Sequence, residues 1–240
     1  MWVSNVADRH PRMIVCTEGA EGSGKTDFVL GAPRPLTYLD FDYGAEGITR
    51  YAAPEIHKQY DLLAAEWQPE AQAKRYAAEV MKRFIADFRQ AIADKVRTLA
   101  VDTFTAAWAG QRLARSEDKY VEFEEEFRSL IRATYASPYT NVILIHHLKS
   151  DWKRDVAGKS YKAGTYSRDG MDGIANMVQL AVRQRYVAPQ VAAGQVVVPG
   201  RFEVDVMKCR DNVGLVGQTF AGMDFATLCG IVCPSVDWSK

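Results

Sequence analysis

Short apolar runs alternate along the chain with longer segments in which apolar residues recur every three to four positions. The apolar runs predict buried strands over 12–17, 35–42, 95–102 and 141–147. The periodic segments predict helices over 69–94, 104–115 and 120–134, after a short helix that starts at Gly24 or Lys25. Gly31, Pro33 and Pro35 end that short helix, because proline has no amide hydrogen for the helical hydrogen bond. Strands that alternate with helices predict an α/β fold, a mainly parallel sheet with helices on both faces.

The pattern changes after residue 148. A glycine- and lysine-rich segment over 149–172 predicts a mobile loop, and two further strands are predicted over 177–186 and 200–210. The second of these alternates apolar and polar residues, which is typical of an antiparallel edge strand. The last residues predict a short, irregular ending. We therefore expect a single domain over 1–240, with an N-terminal tail over 1–11 and a C-terminal extension over 211–240.

Composition and charge limit the classes of function. Hydrophobic residues make up 48% and charged residues 25% of the 240, which is typical of a globular protein with a sizeable core. The net charge is zero, so any contact with nucleic acid must come from a local basic patch. No apolar run reaches the roughly 18 residues of a membrane span, and the first residues do not resemble a secretory signal. We expect no membrane contact and a cytoplasmic location.

The four cysteines are too few and too scattered for a disulfide framework, which favours a reducing compartment. Cys229 and Cys233 stand in the sequence CGIVC, where a metal site is one interpretation. Their spacing differs from that of the usual zinc pairs and no histidine lies nearby. We therefore expect both to be buried apolar cysteines.

The stretch GAEGSGKT fits G-x-x-x-x-G-K-[ST], the phosphate-binding loop (P-loop) pattern. In this pattern backbone amides hold the phosphates, Lys25 reaches the β and γ phosphates, and the Thr26 hydroxyl binds Mg²⁺. The alternative is a glycine-rich turn without a ligand. The residues predicted to bind nucleotide are Gly19, Glu21, Gly22, Ser23, Gly24, Lys25 and Thr26.

Acidic residues end two of the predicted strands. Asp102 ends TLAVD and is the natural second magnesium residue, held through water; its alternative role is to cap the following helix. Asp40 and Asp42 end another strand, and their i, i+2 spacing predicts that both face the site. We expect Asp42 to orient the attacking water, the alternative being a charged turn before Gly44.

His146 and His147 close the strand over 141–147. Adjacent residues on a strand point to opposite faces, so only one of them can face a γ-phosphate. We expect this to be His147; the alternative is a structural histidine with satisfied hydrogen bonds.

Residues 148–170 combine cations, aromatic side chains and glycines. Cations follow a phosphate backbone and aromatic rings stack on bases, so the combination predicts contact with single-stranded DNA without sequence preference. The alternative is a solvated loop, because Asp151, Asp155 and Asp169 dilute the positive charge. The residues predicted to contact DNA are Lys149, Trp152, Lys153, Arg154, Lys159, Tyr161, Lys162 and Arg168.

The order of these motifs, P-loop, LDFD, VDTFT, ILIHHLK, basic segment and KCR, resembles the RecA-like ATPase core over residues 12–210. Within that family it is similar to the core-only recombinases of bacteriophages, the Sak-type single-strand annealing proteins. The resemblance implies a RecA-like P-loop fold with a C-terminal antiparallel strand pair, ATP and Mg²⁺ as cofactors, and catalytic roles for Lys25, Asp42 and His147. The family usually has glutamate where this chain has Asp42, so one methylene of reach is missing. HHLK also resembles the His-Leu-Lys of ring helicases of the DnaB type.

In RecA-like ATPases a Lys-x-Arg pair from a neighbouring subunit contacts the γ-phosphate, and Lys208 and Arg210 match that pair. Their alternative role is an ordinary exposed strand end. The resemblance therefore implies a homo-oligomer, a filament or ring, that works on single-stranded DNA in the host cytoplasm, with a single-strand DNA-binding protein as a possible partner. The expected activity is DNA-stimulated ATP hydrolysis by a recombinase or annealing protein. The alternatives are a DnaB-like DNA motor and a small-molecule kinase or nucleotide switch.

Overall fold

The computed structural model describes residues 12–46, 48–115, 120–154, 159–192 and 195–238. Its strands are β1 (Ile14–Gly19), β2 (Leu36–Asp40), β3 (Ile56–Gln59), β4 (Thr98–Asp102), β5 (Asn141–Arg154), β6 (Ser160–Arg168), β7 (Leu180–Val187), β8 (Gln190–Ala192), β9 (Gln195–Val198), β10 (Arg201–Cys209) and β11 (Thr219–Ala221). Its α-helices are α1 (Lys25–Leu30), α2 (Leu63–Glu66), α3 (Glu70–Ala93), α4 (Phe104–Ala114), α5 (Tyr120–Ala136), α6 (Ile174–Met177) and α7 (Phe225–Val232), and a 3₁₀ turn spans Val213–Leu215.

One sheet organises the molecule, with strand order β11-β10-β7-β1-β5-β4-β2-β3 and with β6 paired to β5. The six strands from β3 to β7 along this order are parallel, whereas β10 and β11 run antiparallel at the other edge. β8 and β9 form a separate antiparallel pair. The prediction of a mainly parallel sheet that ends in an antiparallel strand pair is therefore confirmed.

Each face of the sheet has its own hydrophobic core. On one face α3, α4 and α5 pack through buried residues such as Phe84, Phe104 and Phe127. On the other face α1 and α7 pack through Phe28 and Phe225, whose ring centroids lie 6.0 Å apart. β1, β2 and β4 are buried along their whole length, and most of their side chains on both faces are apolar, which is why they stand out in the sequence.

The prediction of a mobile loop over 149–172 is wrong in its first part. β5 continues to Arg154 and pairs with β6 as an antiparallel hairpin, from Leu148 opposite Arg168 to Arg154 opposite Ser160. Most of the hairpin's side chains are exposed, so no hydrophobic alternation marks it in the sequence, and backbone hydrogen bonds between its strands hold it together. We refer to β5 from Leu148 onward and β6 as the basic hairpin.

The prediction of an irregular ending is also wrong, because the C-terminal segment contains α7. Its apolar sequence FATLCGIV packs into the core, and the Asp224 side chain caps its first turn by accepting from the Thr227 amide at 2.8 Å. The short elements β3, α2, β8, β9 and β11 were not predicted either. No helix among the described residues is long and apolar enough to span a membrane.

Candidate functional site

The P-loop connects β1 to α1 at the carboxyl end of the parallel strands. Gly22 and Gly24 have φ angles of 70° and 90°, a region that side chains other than glycine rarely adopt. A Cβ on Gly24 would also lie 2.7 Å from the Phe202 ring of β10. The Ser23 hydroxyl is buried and has no hydrogen-bond partner among the described residues, so the loop holds a polar group for a ligand.

Lys25 lies at the start of α1 and is buried. Its Nζ donates to the carbonyl oxygens of Gly19 at 3.1 Å and Ala20 at 2.7 Å, which folds the side chain over the P-loop. Burial lowers the pKa of Lys25, and the charges of Asp102 and Asp42 act against that decrease. An anion bound in the loop would compensate the desolvated ammonium group.

The Thr26 hydroxyl and Asp102 form the part of the site suited to a cation. Thr26 Oγ1 donates to Asp102 Oδ2 at 2.8 Å, and the Tyr38 hydroxyl donates to the same oxygen. Burial raises the pKa of Asp102, while the two hydroxyl hydrogen bonds lower it. Hydroxyl and carboxylate oxygens beside a phosphate site are the ligands that Mg²⁺ prefers, so these residues fit that ion. The predicted alternative role of Asp102, the helix cap, belongs instead to Thr103, which accepts from the Ala106 amide at 3.1 Å.

The prediction that Asp40 and Asp42 both face the site is wrong. β2 ends at Asp40, so the strand alternation that would align the two residues does not extend to Asp42. Asp40 is buried, with its Oδ2 2.9 Å from His57 Nε2 and its Oδ1 accepting from the Asp42 amide at 3.0 Å. Asp42 is half exposed and places Oδ2 3.1 Å from Nε2 of His147. Asp40 thus fixes the turn that brings Asp42 to His147.

The two histidines at the end of the core part of β5 differ as the strand geometry predicts. His147 faces the P-loop cavity. His146 is fully buried, and its Nδ1 lies 3.2 Å from the Asp169 carbonyl oxygen. Burial lowers the pKa of His146 to about 3, so its ring is neutral at pH 7. Thr105 links β5 to the residue that follows β6, because its hydroxyl accepts from the His147 amide and donates to the Asp169 carbonyl.

These side chains surround one cavity of about 430 Å³. Its lining residues include Glu21, Gly22, Ser23, Gly24, Lys25, Thr26, Asp42, Asp102 and His147. A second cavity of about 500 Å³ shares Gly24, Asp27 and Phe202 with it and is lined further by Tyr51 and Tyr186. The two cavities together extend from the P-loop along β10.

Gly44 also belongs to this site, although the sequence indicates only that it follows a charged turn. A Cβ at this position would lie 2.6 Å from Asp102 Oδ2 and 3.1 Å from Thr26 Oγ1. Tyr38 was also missed, although it precedes Asp40 by two residues on the same strand. Because residues two apart on a strand lie on the same face, its spacing from Asp40 was the feature of the sequence that could have indicated Tyr38.

The basic hairpin exposes most of the residues predicted to contact DNA. Trp152, Tyr161 and Tyr166 are 62%, 48% and 56% exposed, and the Lys162 ammonium lies 5.9 Å from the centre of the Trp152 ring. Lys149 pairs with Asp169 at 3.5 Å. The side chain of Arg154 lies outside the part of the chain that the structure describes. Lys153 and Lys159 are exposed.

Arg168 does not share this exposed surface. It lies at the base of the basic hairpin and pairs with Glu18, which also pairs with Arg183 of β7; both distances are 2.5 Å. Glu18 is almost fully buried and immediately precedes Gly19. The sequence-based assignment of Arg168 to DNA contact is therefore replaced by a structural role, which joins the hairpin to the strand that leads into the P-loop.

Lys208 and Arg210 lie far from the P-loop of their own chain. Lys208 Nζ donates to the carbonyl oxygens of Ala175 at 2.5 Å and Val178 at 3.0 Å, and the Arg210 side chain donates to the Asn176 carbonyl. This end of β10 is level with the start of β1, because Cys209 stands opposite Leu180 of β7 and Leu180 stands opposite Val15 of β1. Val15 precedes Gly19 by four residues, about 13 Å along the strand. Within one chain these two residues do not reach the nucleotide cavity.

The cysteines carry no metal chemistry within the described residues. Cys16, Cys209 and Cys229 are buried free thiols, and Cys233 is half-buried. Burial raises the pKa of Cys229, so the thiol stays protonated at pH 7. No group of three or more His, Cys, Asp or Glu side chains in the described ranges is arranged for a metal ion.

A family model described as an AAA domain matches residues 11–193 of the chain. The match contains the P-loop, Asp102, His147 and the basic hairpin, and it ends before Lys208 and Arg210. No curated protein sequence matches the chain.

Proposed function

Because the chain belongs to the AAA domain family and is a P-loop ATPase, we propose that it couples magnesium-dependent ATP hydrolysis to the binding of single-stranded DNA. One observation carries the proposal. β5 runs as one strand from His147 at the nucleotide cavity to Trp152 in the basic hairpin, with a shift in its pairing between Ser150 and Trp152. Coupling of the two ligands through this strand requires that each ligand favour the same arrangement of β5.

The nucleotide half of the proposal rests on the cavity beside the P-loop. Loop amides and Lys25 bind the phosphates, and Thr26 and Asp102 hold the magnesium ion. Bound Mg²⁺ supplies positive charge that offsets the charge that develops on the phosphate oxygens. Asp42 accepts a hydrogen bond from the attacking water and orients it, and His147 fixes the Asp42 carboxylate at 3.1 Å. The reaction transfers the γ-phosphoryl group to water by positioning and electrostatics, without a covalent intermediate.

The DNA half rests on the exposed side chains of the basic hairpin. Trp152, Tyr161 and Tyr166 offer rings for stacking, while Lys153 and Lys162 supply cations for the backbone phosphates. The chain as a whole has no net charge, so this local patch is what favours a polyanion. Stacking on exposed rings needs unpaired bases, which supports a single strand over a duplex.

The proposal includes a homo-oligomer, and the position of Lys208 and Arg210 supports it. Both lie at the end of β10 remote from the P-loop of their own chain, where their cations contact the carbonyl oxygens of Ala175, Asn176 and Val178. We assign them a role in trans in a head-to-tail ring or filament, as in several of the RecA-like ATPases that the motif order resembles. An arginine supplied in this way raises phosphoryl-transfer rates by about 10³–10⁵.

The test is ATP hydrolysis with and without single-stranded DNA, over a range of protein concentrations. We expect stimulation by DNA, a rate per subunit that rises with concentration, and loss of activity in Lys25→Ala and Arg210→Ala. Arg132→Ala, which removes an exposed arginine of α5, is the matched control and is expected to behave like the wild type. A rate independent of DNA and of concentration would favour a kinase or a nucleotide switch, and unwinding of a forked duplex would favour a DNA motor.

A further inference from the structure

Tyr38 is a buried tyrosine on β2, next to the strand that carries Asp102. In the β2–β4 register Tyr38 stands opposite Ala100 and Asp40 stands opposite Asp102, so the Tyr38 ring reaches Asp102 diagonally across two strands. Its hydroxyl donates to Asp102 Oδ2, the same oxygen that accepts from Thr26. We propose that Tyr38 is a positioning residue that holds the Asp102 carboxylate in place for the magnesium ion of the nucleotide site.

The geometry leaves the Asp102 carboxylate little freedom. Two hydroxyl groups, one from β2 and one from α1, converge on a single oxygen, so rotation of the carboxylate breaks a buried hydrogen bond. Thr26 can donate this bond and still offer oxygen lone pairs to a cation, because a hydroxyl has one donor and two acceptor positions. The hydrogen bond from Tyr38 to Asp102 is therefore the one whose donor does not also bind the magnesium ion.

The Tyr38 ring is itself held in place by packing, so its hydroxyl keeps a fixed position beside Asp102. The side chain is fully buried in the core that also contains Ala100 and Ile143. The His57 ring packs edge-on against it, with centroids 5.6 Å apart and an interplanar angle of 86°. Removal of the hydroxyl alone therefore leaves the ring in place and changes one contact of Asp102.

The chain contains a matched control. Tyr60 is also fully buried, and its hydroxyl donates to a carboxylate, Asp87 Oδ2, at 2.6 Å. Asp87 lies on α3 and is absent from the lining of the nucleotide cavity. Tyr38→Phe and Tyr60→Phe thus remove the same kind of hydrogen bond, one beside the nucleotide site and one away from it.

This inference rests on the proposed function and is tested by binding, without reference to hydrolysis. A fluorescent ATP analogue is titrated at several Mg²⁺ concentrations with the wild type and both variants, and the thermal midpoint of each protein is recorded. We expect Tyr38→Phe to raise the Mg²⁺ concentration needed for half-maximal binding by about tenfold or more, the usual effect of losing a support of a metal ligand. We expect Tyr60→Phe to lower the thermal midpoint without moving the Mg²⁺ dependence.

A double-mutant cycle separates positioning from general destabilisation. If Tyr38 acts through the Asp102 carboxylate, Tyr38→Phe has no further effect on the Mg²⁺ dependence in an Asp102→Asn background. An unchanged Mg²⁺ dependence in Tyr38→Phe, or an equal shift in both tyrosine variants, would overturn the inference and leave the proposed function intact. Failure of the wild type to bind the analogue at any Mg²⁺ concentration would overturn both.

Discussion

Asp42 and His147 stand 105 residues apart in the chain, and their side chains meet at 3.1 Å over the nucleotide cavity. Asp42 follows β2 and His147 lies on β5, and β4 separates the two strands in the sheet. The contact places a carboxylate and an imidazole together at the cavity beside the P-loop.

The first prediction concerns this pair. Asp42→Asn removes the proton acceptor and keeps the shape, so we expect kcat for ATP hydrolysis to fall by about 100-fold or more, with nucleotide affinity nearly unchanged. The control is Asp94→Asn, which changes an exposed acid after α3. The role of Asp42 is disproved if hydrolysis persists at the wild-type rate while binding is intact.

Gly44 provides a steric test of the magnesium site. The Cβ of Gly44→Ala would stand 2.6 Å from Asp102 Oδ2, so the Asp102 carboxylate or the Gly44 backbone must shift. We expect Mg²⁺-dependent binding of an ATP analogue to weaken by about tenfold or more. Gly230→Ala in α7, where a Cβ meets nothing within 4 Å, is the control. It is expected to leave binding unchanged and to raise stability by about 0.5–1 kcal/mol.

The third prediction concerns DNA. Trp152→Ala removes the most exposed ring of the basic hairpin, and we expect the affinity for single-stranded DNA to fall by about 1–3 kcal/mol. Fluorescence anisotropy with a labelled oligonucleotide measures this change. The matched control is Trp67→Ala, which removes a tryptophan that is 87% exposed outside the hairpin. Equal affinity of the two variants would show that the hairpin does not stack on bases.

Glu18 and Arg168 give a stability prediction. Arg168→Ala leaves a buried carboxylate with Arg183 as its remaining cation, so we expect a loss of about 1–3 kcal/mol in the free energy of unfolding. Arg132→Ala breaks an ion pair that is exposed on both sides and is expected to change stability by about 0.5 kcal/mol or less. Urea denaturation compares the two, and equal losses would contradict a special role for the Glu18 cluster.

The last prediction is a pH dependence. His146 has a pKa of about 3 in the folded chain because it is buried, below the ordinary value of 6.5. Between these two pH values the unfolded chain binds the additional proton, so acidification from pH 6.5 destabilises the fold by at most about 1.4 kcal/mol per pH unit from this residue. Denaturation of wild type and His146→Asn between pH 7 and 4 measures the effect. We expect the free energy of unfolding to fall less steeply with acidification in the variant than in the wild type. Parallel pH dependences of the two proteins would contradict a lowered pKa of His146.

The sequence by itself determined the parallel core and the position of the candidate site. Fully buried strands are mainly apolar, and parallel strands end at one edge of a sheet, so the sequence places Lys25, Asp102 and His147 together, and they line one cavity. The P-loop needs no tertiary information, because its glycines and lysine act through the local backbone. The domain boundaries and the catalytic roles remain predictions.

Only the tertiary structure decided which polar side chains pair. The sequence predicts a loop over 149–172 because the exposed strands over 148–154 and 160–168 have no hydrophobic period. Tyr38 contacts Asp102, which lies 64 residues later in the chain, and Arg168 pairs with Glu18 of another strand. Local sequence patterns do not predict such contacts between residues far apart in the chain. The same holds for Asp42, which strand alternation placed beside Asp40. β2 ends at Asp40, so the turn held by that residue, and not the strand, sets the direction of Asp42.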